Sequence, residues 1–171
     1  MVDYQLPNIS GLNVSGLTCR AACWQKVSQV TAVSRFGQPA GDAAASFRCG
    51  ACGEMAAVVR AVPAGHAADM GPPLGPRAQN RNGIVVDYFG GTGWKLADAA
   101  SYKEVRDILS GQAPDPAALR QIDWELAPFY CPDCGRNYCR ADWHTYVLFD
   151  EGFYDCTMGT CPGGHRHMVD D

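Results

Sequence analysis

Cys131-Pro132-Asp133-Cys134-Gly135, followed within one small-module length by Cys139, His144, Cys161 and His165, is the stretch on which the reading of this chain turns. Two thiolates separated by two residues at a tight turn grip a single cation from two sides. The glycine after the second cysteine supplies the backbone freedom that such a knuckle needs. Zinc suits the grip, because it takes sulfur and nitrogen donors and is satisfied by four of them. Upstream, Cys49-Gly50-Ala51-Cys52-Gly53 repeats the design.

Nine cysteines in 171 residues can mean cystines or metal. The odd count and the Cys-x-x-Cys spacing favour metal. So does the start Met1-Val2-Asp3-Tyr4-Gln5-Leu6-Pro7-Asn8, which has neither a basic region nor an apolar core and reads as no signal peptide. The expectation is a soluble cytoplasmic protein with free thiols, and no apolar run approaches a membrane span. With 47% hydrophobic and 19% charged residues the chain can bury a core, which predicts one zinc-stabilised domain over residues 1–171 with a zinc-binding subregion over 129–171. A net charge of -4 and the lack of any basic run weigh against nucleic acid as a partner. Only Lys26, Lys95 and Lys103 represent lysine, while arginine and alanine are plentiful, a usage of GC-rich, bacterial type.

The pattern along the chain predicts an α+β fold: a small twisted antiparallel sheet, a short helical pair and a C-terminal zinc-stabilised β-hairpin module. Residues 1–22 read as an irregular lead-in, Trp24 to Phe36 as a strand and Gly37 to Ser46 as a loop. Met55 to Val62 is a strand leaving the first knuckle. Pro63 to Gly83, rich in proline and glycine, is a long surface excursion, with His66 and Asp69 a loop pair. Ile84 to Phe89 is a central strand stopped by Gly90-Gly91, and Gly90-Gly91-Thr92-Gly93 is a turn. Ser101 with Glu104 forms a capping box for a helix that ends at Gly111, its inward side Val105, Ile108 and Leu109. Asp115 and Pro116 start a second helix, with Leu119, Ile122 and Leu126 inward and Pro128 at its stop. His144 to Phe149 and Phe153 to Thr157 flank Asp150-Glu151-Gly152 as a hairpin, which sets His144 beside Met158 or Gly159.

Three ways of sorting the ligands follow. The favoured one joins Cys49 and Cys52 to Cys131 and Cys134 across the 78 residues between Cys52 and Cys131, and builds a second site from Cys139, His144, Cys161 and His165. Each site then holds one zinc ion, two in all, and every knuckle is used. An alternative pairs Cys131 and Cys134 with Cys161 and His165 as a compact ribbon, leaving Cys49 and Cys52 to Cys19 and Cys23. A third draws in Cys156 or His167. Otherwise Cys19, Cys23 and Cys156 read as thiols outside the sites, His167 as an exposed side chain near the chain end, and Asp142, Asp150, Glu151 and Asp155 as solvated carboxylates.

The knuckle pairs Cys49 with Cys52 and Cys131 with Cys134 resemble the four-cysteine zinc site of β-tent proteins, the architecture of Yippee-like proteins and the cereblon ligand-binding domain. Methionine sulfoxide reductases of the B type have similar paired knuckles. The resemblance implies a zinc-bound architecture and carries no activity, since the reductase's cysteine-containing catalytic strand is not recognisable here.

No catalytic residue is assigned: both sites are filled by protein ligands, and no His-Glu-x-x-His occurs. The leading function is therefore a non-catalytic, zinc-stabilised adaptor, regulatory or immunity-like protein. It would bind a protein partner, or a small ligand in an aromatic pocket drawn from residues such as Trp94, Trp124, Trp143 and Tyr146. An enzyme with an open metal position or a reactive Cys156 stands second, and a zinc-ribbon nucleic-acid binder third.

Overall fold

The computed structural model describes residues 43–69, 76–78 and 80–171. The expected lead-in over 1–22, the strand from Trp24 to Phe36, and Cys19 and Cys23 lie outside the described residues, as does part of the 1–171 span expected to be one domain.

Four strands form the main antiparallel sheet: β1 (Ala43–Arg48), β2 (Met55–Val62), β5 (Gly83–Tyr88) and β6 (Gly91–Leu96), in the order β1-β2-β5-β6. Ala45 opposite Val59, and Val59 opposite Val86, set the register. Because side chains alternate along a strand, Ala45, Phe47, Ala57, Val59, Ala61, Ile84 and Val86 share one buried face. Helix α1 (Ala99–Leu109) lays Tyr102, Val105 and Leu109 on that face, and α2 (Pro116–Ile122) adds Leu119. A 3-10 turn (Trp124–Leu126) and Phe129 close the core. On the other face Arg60, only 9% exposed, pairs with Asp87 at 2.6 Å.

The C-terminal segment is a second antiparallel sheet of β9 (His144–Asp150), β10 (Phe153–Thr160) and β11 (Arg166–Asp170), ordered β11-β10-β9. Glu151 and Gly152 make its two-residue turn, with φ of 48° and 90°, the left-handed pair that a primed hairpin turn requires. Two ribbons complete the fold: β3 (Ala67–Asp69) with β4 (Pro76–Ala78), and β7 (Tyr130–Cys131) with β8 (Arg136–Asn137). The architecture is mixed α+β, as the pattern predicted, built from several small antiparallel sheets and two short helices. No helix among the described residues is long and apolar enough to cross a membrane.

Several expectations change in detail. Residues 43–46, read as loop, belong to β1, and the glycine-rich turn after Gly90 opens the edge strand β6. The cap of α1 is Asp98, whose carboxylate accepts from the Ala100 and Ser101 amides; Ser101 lies inside the first turn and donates its own hydroxyl to Asp98. Asp115 and Pro116 start α2 as expected, but Asp123 ends it by capping the 3-10 turn that carries Leu126. The excursion after Pro63 contains the β3-β4 ribbon. In the hairpin the register slips between Tyr154 and Cys156, so Asp155 is an extra residue and His144 faces Thr160 instead of Gly159.

Candidate metal centres

Each knuckle is a tight backbone turn whose amides point at sulfur. In the first, the Gly53 amide donates to the Cys49 carbonyl at 3.0 Å and the Ala51 amide to the Cys49 sulfur at 3.4 Å; Gly53 has φ 79°. In the second, β7 and β8 run either side of the turn, the Cys134 amide faces the Cys131 sulfur, and Gly135 has φ 62°. Two further turns were not read as knuckles. Cys139-Arg140-Ala141-Asp142 aims the Ala141 and Asp142 amides at the Cys139 sulfur, and Cys161-Pro162-Gly163-Gly164-His165 aims the Gly163 and His165 amides at the Cys161 sulfur. Amides pointing at sulfur favour the thiolate, the form that binds metal.

These four turns meet in two groups. Cys131, Cys134, Cys161 and His165 converge so that their donor atoms all lie within 4.8 Å of one another. The Cys161 sulfur is 3.6 Å from Cys131, 3.5 Å from Cys134 and 3.5 Å from the His165 Nδ1. Cys49, Cys52, Cys139 and Asp142 form the other group, with Cys52 3.5 Å from Cys139, and the Asp142 Oδ2 2.9 Å from Cys49 and 3.4 Å from Cys139. A tetrahedron of sulfurs about 2.3 Å from a zinc ion has edges of about 3.8 Å, so these spacings fit a cation at each centre. All seven described cysteines are free, and sulfurs this far apart are not cystines.

The favoured sorting is therefore not the one the structure assembles. The two knuckles do lie side by side, the Gly50 amide donating to the Asn137 carbonyl at 2.8 Å, but each closes with a different later turn. Cys131 and Cys134 take Cys161 and His165, as the ribbon alternative had it, while Cys49 and Cys52 take Cys139 and Asp142. His144 is exposed at the start of β9 and belongs to neither group. The bulge at Asp155 pairs His144 with Thr160, whose side chain lies on the opposite strand face from Gly159 and Cys161. Asp142, read as a solvated turn carboxylate, is instead the fourth donor of the first group. The signal was present, since Cys139-x-x-Asp142 has the knuckle spacing with oxygen in place of sulfur. His167 is half-buried, its Nε2 3.0 Å from Asp133 and 3.5 Å from the Cys131 sulfur, not exposed near the chain end.

Burial and the crowding of sulfur and carboxylate set the electrostatics of the groups. Burial pushes the Cys131 thiol up to about 12. At Cys52 the pull of the Glu54 amide is outweighed by the Asp142 carboxylate, burial and the neighbouring sulfurs, and the thiol rises to about 12. Asp142 moves the other way, held below the usual carboxylate range by hydrogen bonds from Cys49 and Cys52. A divalent ion amid the four donors would release the thiol protons and balance the charge.

Packing fixes the two groups in place. Trp143, 2% exposed, packs edge-on to Tyr138 and His167. Its Nε1 donates to the Phe129 carbonyl at 3.4 Å. Cys49, Cys131, Cys139, Cys161 and Val169 pack around the same cluster. Gly163 is tightly constrained: a methyl group there would sit 2.9 Å from the Cys134 sulfur and 3.1 Å from the His165 ring. Gly163→Ala is expected to lower zinc affinity at that group at least about tenfold, measured by competition with a chromophoric chelator, while the other group keeps its ion.

Cys156, the remaining described cysteine, is buried beside Asp155, and burial raises its thiol. Of the expected aromatic lead, Trp143 and Tyr138 serve the core, while Tyr88, Trp94, Trp124 and Leu126 line an open cavity of about 240 Å³ beside Lys95 and Glu125.

No curated protein and no solved structure matches the chain. A family model does match, over the segment that holds both groups of ligands and all of the described strands and helices. On that match, which covers residues 39–171, the chain belongs to the family described as Domain of unknown function (DUF8328).

Proposed function

We propose that this protein is a zinc-stabilised, non-catalytic binding module. Two zinc ions close four ligand turns and thereby hold out a surface that a protein partner recognises, in an adaptor or regulatory role. The observation that carries the reading is the pair of four-donor groups, each joining distant chain segments at the edge lengths of a zinc tetrahedron. Four protein donors at an ion leave no position for substrate, the arrangement of structural and not catalytic zinc. Free thiols at all seven described cysteines fit a reducing compartment such as the cytoplasm.

Elemental analysis tests this directly. Two zinc ions per chain are expected, falling to one in Cys134→Ser and again to one in Cys52→Ser. One ion in the parent protein, or none, would overturn the reading. Asp142→Asn is expected to keep both ions but speed exchange at the first group, since an amide is a poorer donor to zinc than a carboxylate.

One observation favours the enzymatic alternative. Cys52 is exposed and its group is completed by a carboxylate, the donor that yields most readily to water. Cobalt substitution separates the two readings, because an open position would change the visible spectrum on adding azide and a closed one would not.

A further inference from the structure

Among the described residues β9 is the last strand of its sheet, and every residue from His144 to Asp150 is exposed. Of the eight large apolar side chains exposed among the described residues, six belong to this hairpin: Tyr146, Val147, Leu148, Phe149, Phe153 and Tyr154. Edge strands are ordinarily guarded by lysine, proline or a bulge of their own, because their unpaired amides and carbonyls invite another strand. β9 has none of these; the bulge lies on β10, and the edge strand of the main sheet, β6, carries Lys95 and two glycines. His144-Thr145-Tyr146-Val147-Leu148-Phe149-Asp150 also ends in an imidazole at one side and a carboxylate at the other.

We propose that β9 pairs antiparallel with β9 of a second copy of this chain, about a twofold axis at Val147, to form one continuous six-stranded sheet. In that register His144 faces Asp150 of the second copy at both ends, so imidazole and carboxylate meet twice. Tyr146 faces Leu148, Thr145 faces Phe149, and Val147 faces its own equivalent. A twofold axis makes each favourable pair occur twice, which is why self-complementary patches give closed dimers. Aromatic and aliphatic side chains on both faces of the joined strands, with Phe149 and Phe153 at the turn, bury the apolar area that strand pairing alone does not cover. The inference deepens the binding-module reading by naming the partner, and it rests on that reading only for the hairpin as a recognition surface.

Sedimentation velocity on the full chain, with zinc content read from the same samples, tests the pairing. The parent is expected to run at twice 18.4 kDa. Val147→Glu sets two like charges against each other on the axis and should weaken association about a hundredfold or more with both ions retained. Asp150→Lys should weaken it too, and the double variant His144→Asp with Asp150→Lys should restore it, which a merely structural role for either residue would not do. A monomer at the highest concentration with both ions bound would overturn the dimer while leaving the zinc reading intact, as would a monomer whose hairpin captures a different protein. A dimer indifferent to Val147→Glu would overturn it equally, placing the contact elsewhere. Loss of the ions with a Val147-dependent dimer would sink the zinc reading and support this one.

Discussion

Cys131→Ser is expected to empty one metal centre and to release the C-terminal sheet at a temperature where the parent protein is intact. Cys131 is fully buried, its sulfur 3.6 Å from Cys161 and 3.8 Å from the His165 Nδ1. A hydroxyl reaches less far and binds zinc far more weakly than a thiolate. Binding of structural zinc contributes about 10–16 kcal/mol to small metal-folded peptides, comparable to the whole stability of an ordinary domain at about 5–15 kcal/mol. Even a fraction of that is enough to unfold β9, β10 and β11, whose described side chains supply little core beyond Cys156 and Val169. Hydrogen exchange should show protection lost across these strands and kept in β2 and β5, with zinc falling from two ions to one. Treating the parent with a strong chelator should reproduce the pattern and extend it to the first knuckle. Cys156→Ser serves as the control and should change zinc content not at all. Retained protection in β10 and β11 after loss of the ion would show that the metal is dispensable to the fold.

Phe129→Ala has the second largest expected effect. Phe129 is fully buried and packs on Phe47 with ring centroids 5.0 Å apart. Its carbonyl accepts from the Tyr138 amide at 2.9 Å as well as from Trp143. It therefore connects the helix-covered face of the main sheet to the cluster around the metal ligands. Truncating a buried phenylalanine costs about 3–5 kcal/mol, from lost transfer free energy and the cavity left behind. For a chain of this length that corresponds to a fall in melting temperature of roughly 10 °C, measured calorimetrically with zinc held constant. Both ions should remain bound at low temperature, because none of the eight donors is touched. A fall of only a degree or two would mean that the two clusters do not share stability through this residue.

The elements that declare themselves in sequence are those whose local chemistry agrees with their final place. β2 is a run of valine and alanine and β5 holds Ile84-Val85-Val86, each beside a turn, α2 carries its aspartate cap and N1 proline, and the hairpin turn carries its glycine. Strands with weak local preference stay hidden. β1 reads Ala-Ala-Ala-Ser-Phe-Arg, β6 has glycine at two of its six positions, and β11 is mostly polar. They become strands because a neighbour offers a partner edge and a face to bury, which is tertiary information. The same limit governed the metal ligands. That Cys49, Cys52, Cys131, Cys134, Cys139, Cys161 and His165 gather into two four-membered groups was legible from spacing and residue type. Which knuckle meets which later turn depends on the path of the chain between them. A single inserted residue at Asp155 was enough to shift the predicted pairing of His144.

Along the chain the donors alternate between groups: Cys49 and Cys52 for one, Cys131 and Cys134 for the other, Cys139 and Asp142 back to the first, Cys161 and His165 to the second. The first set closes late, because the ribosome must extend the chain 87 residues beyond Cys52 before Cys139 joins it. At ordinary elongation speeds that leaves naked sulfhydryls waiting on the order of ten seconds. During that interval the free thiols of the nascent polypeptide stand open to oxidation.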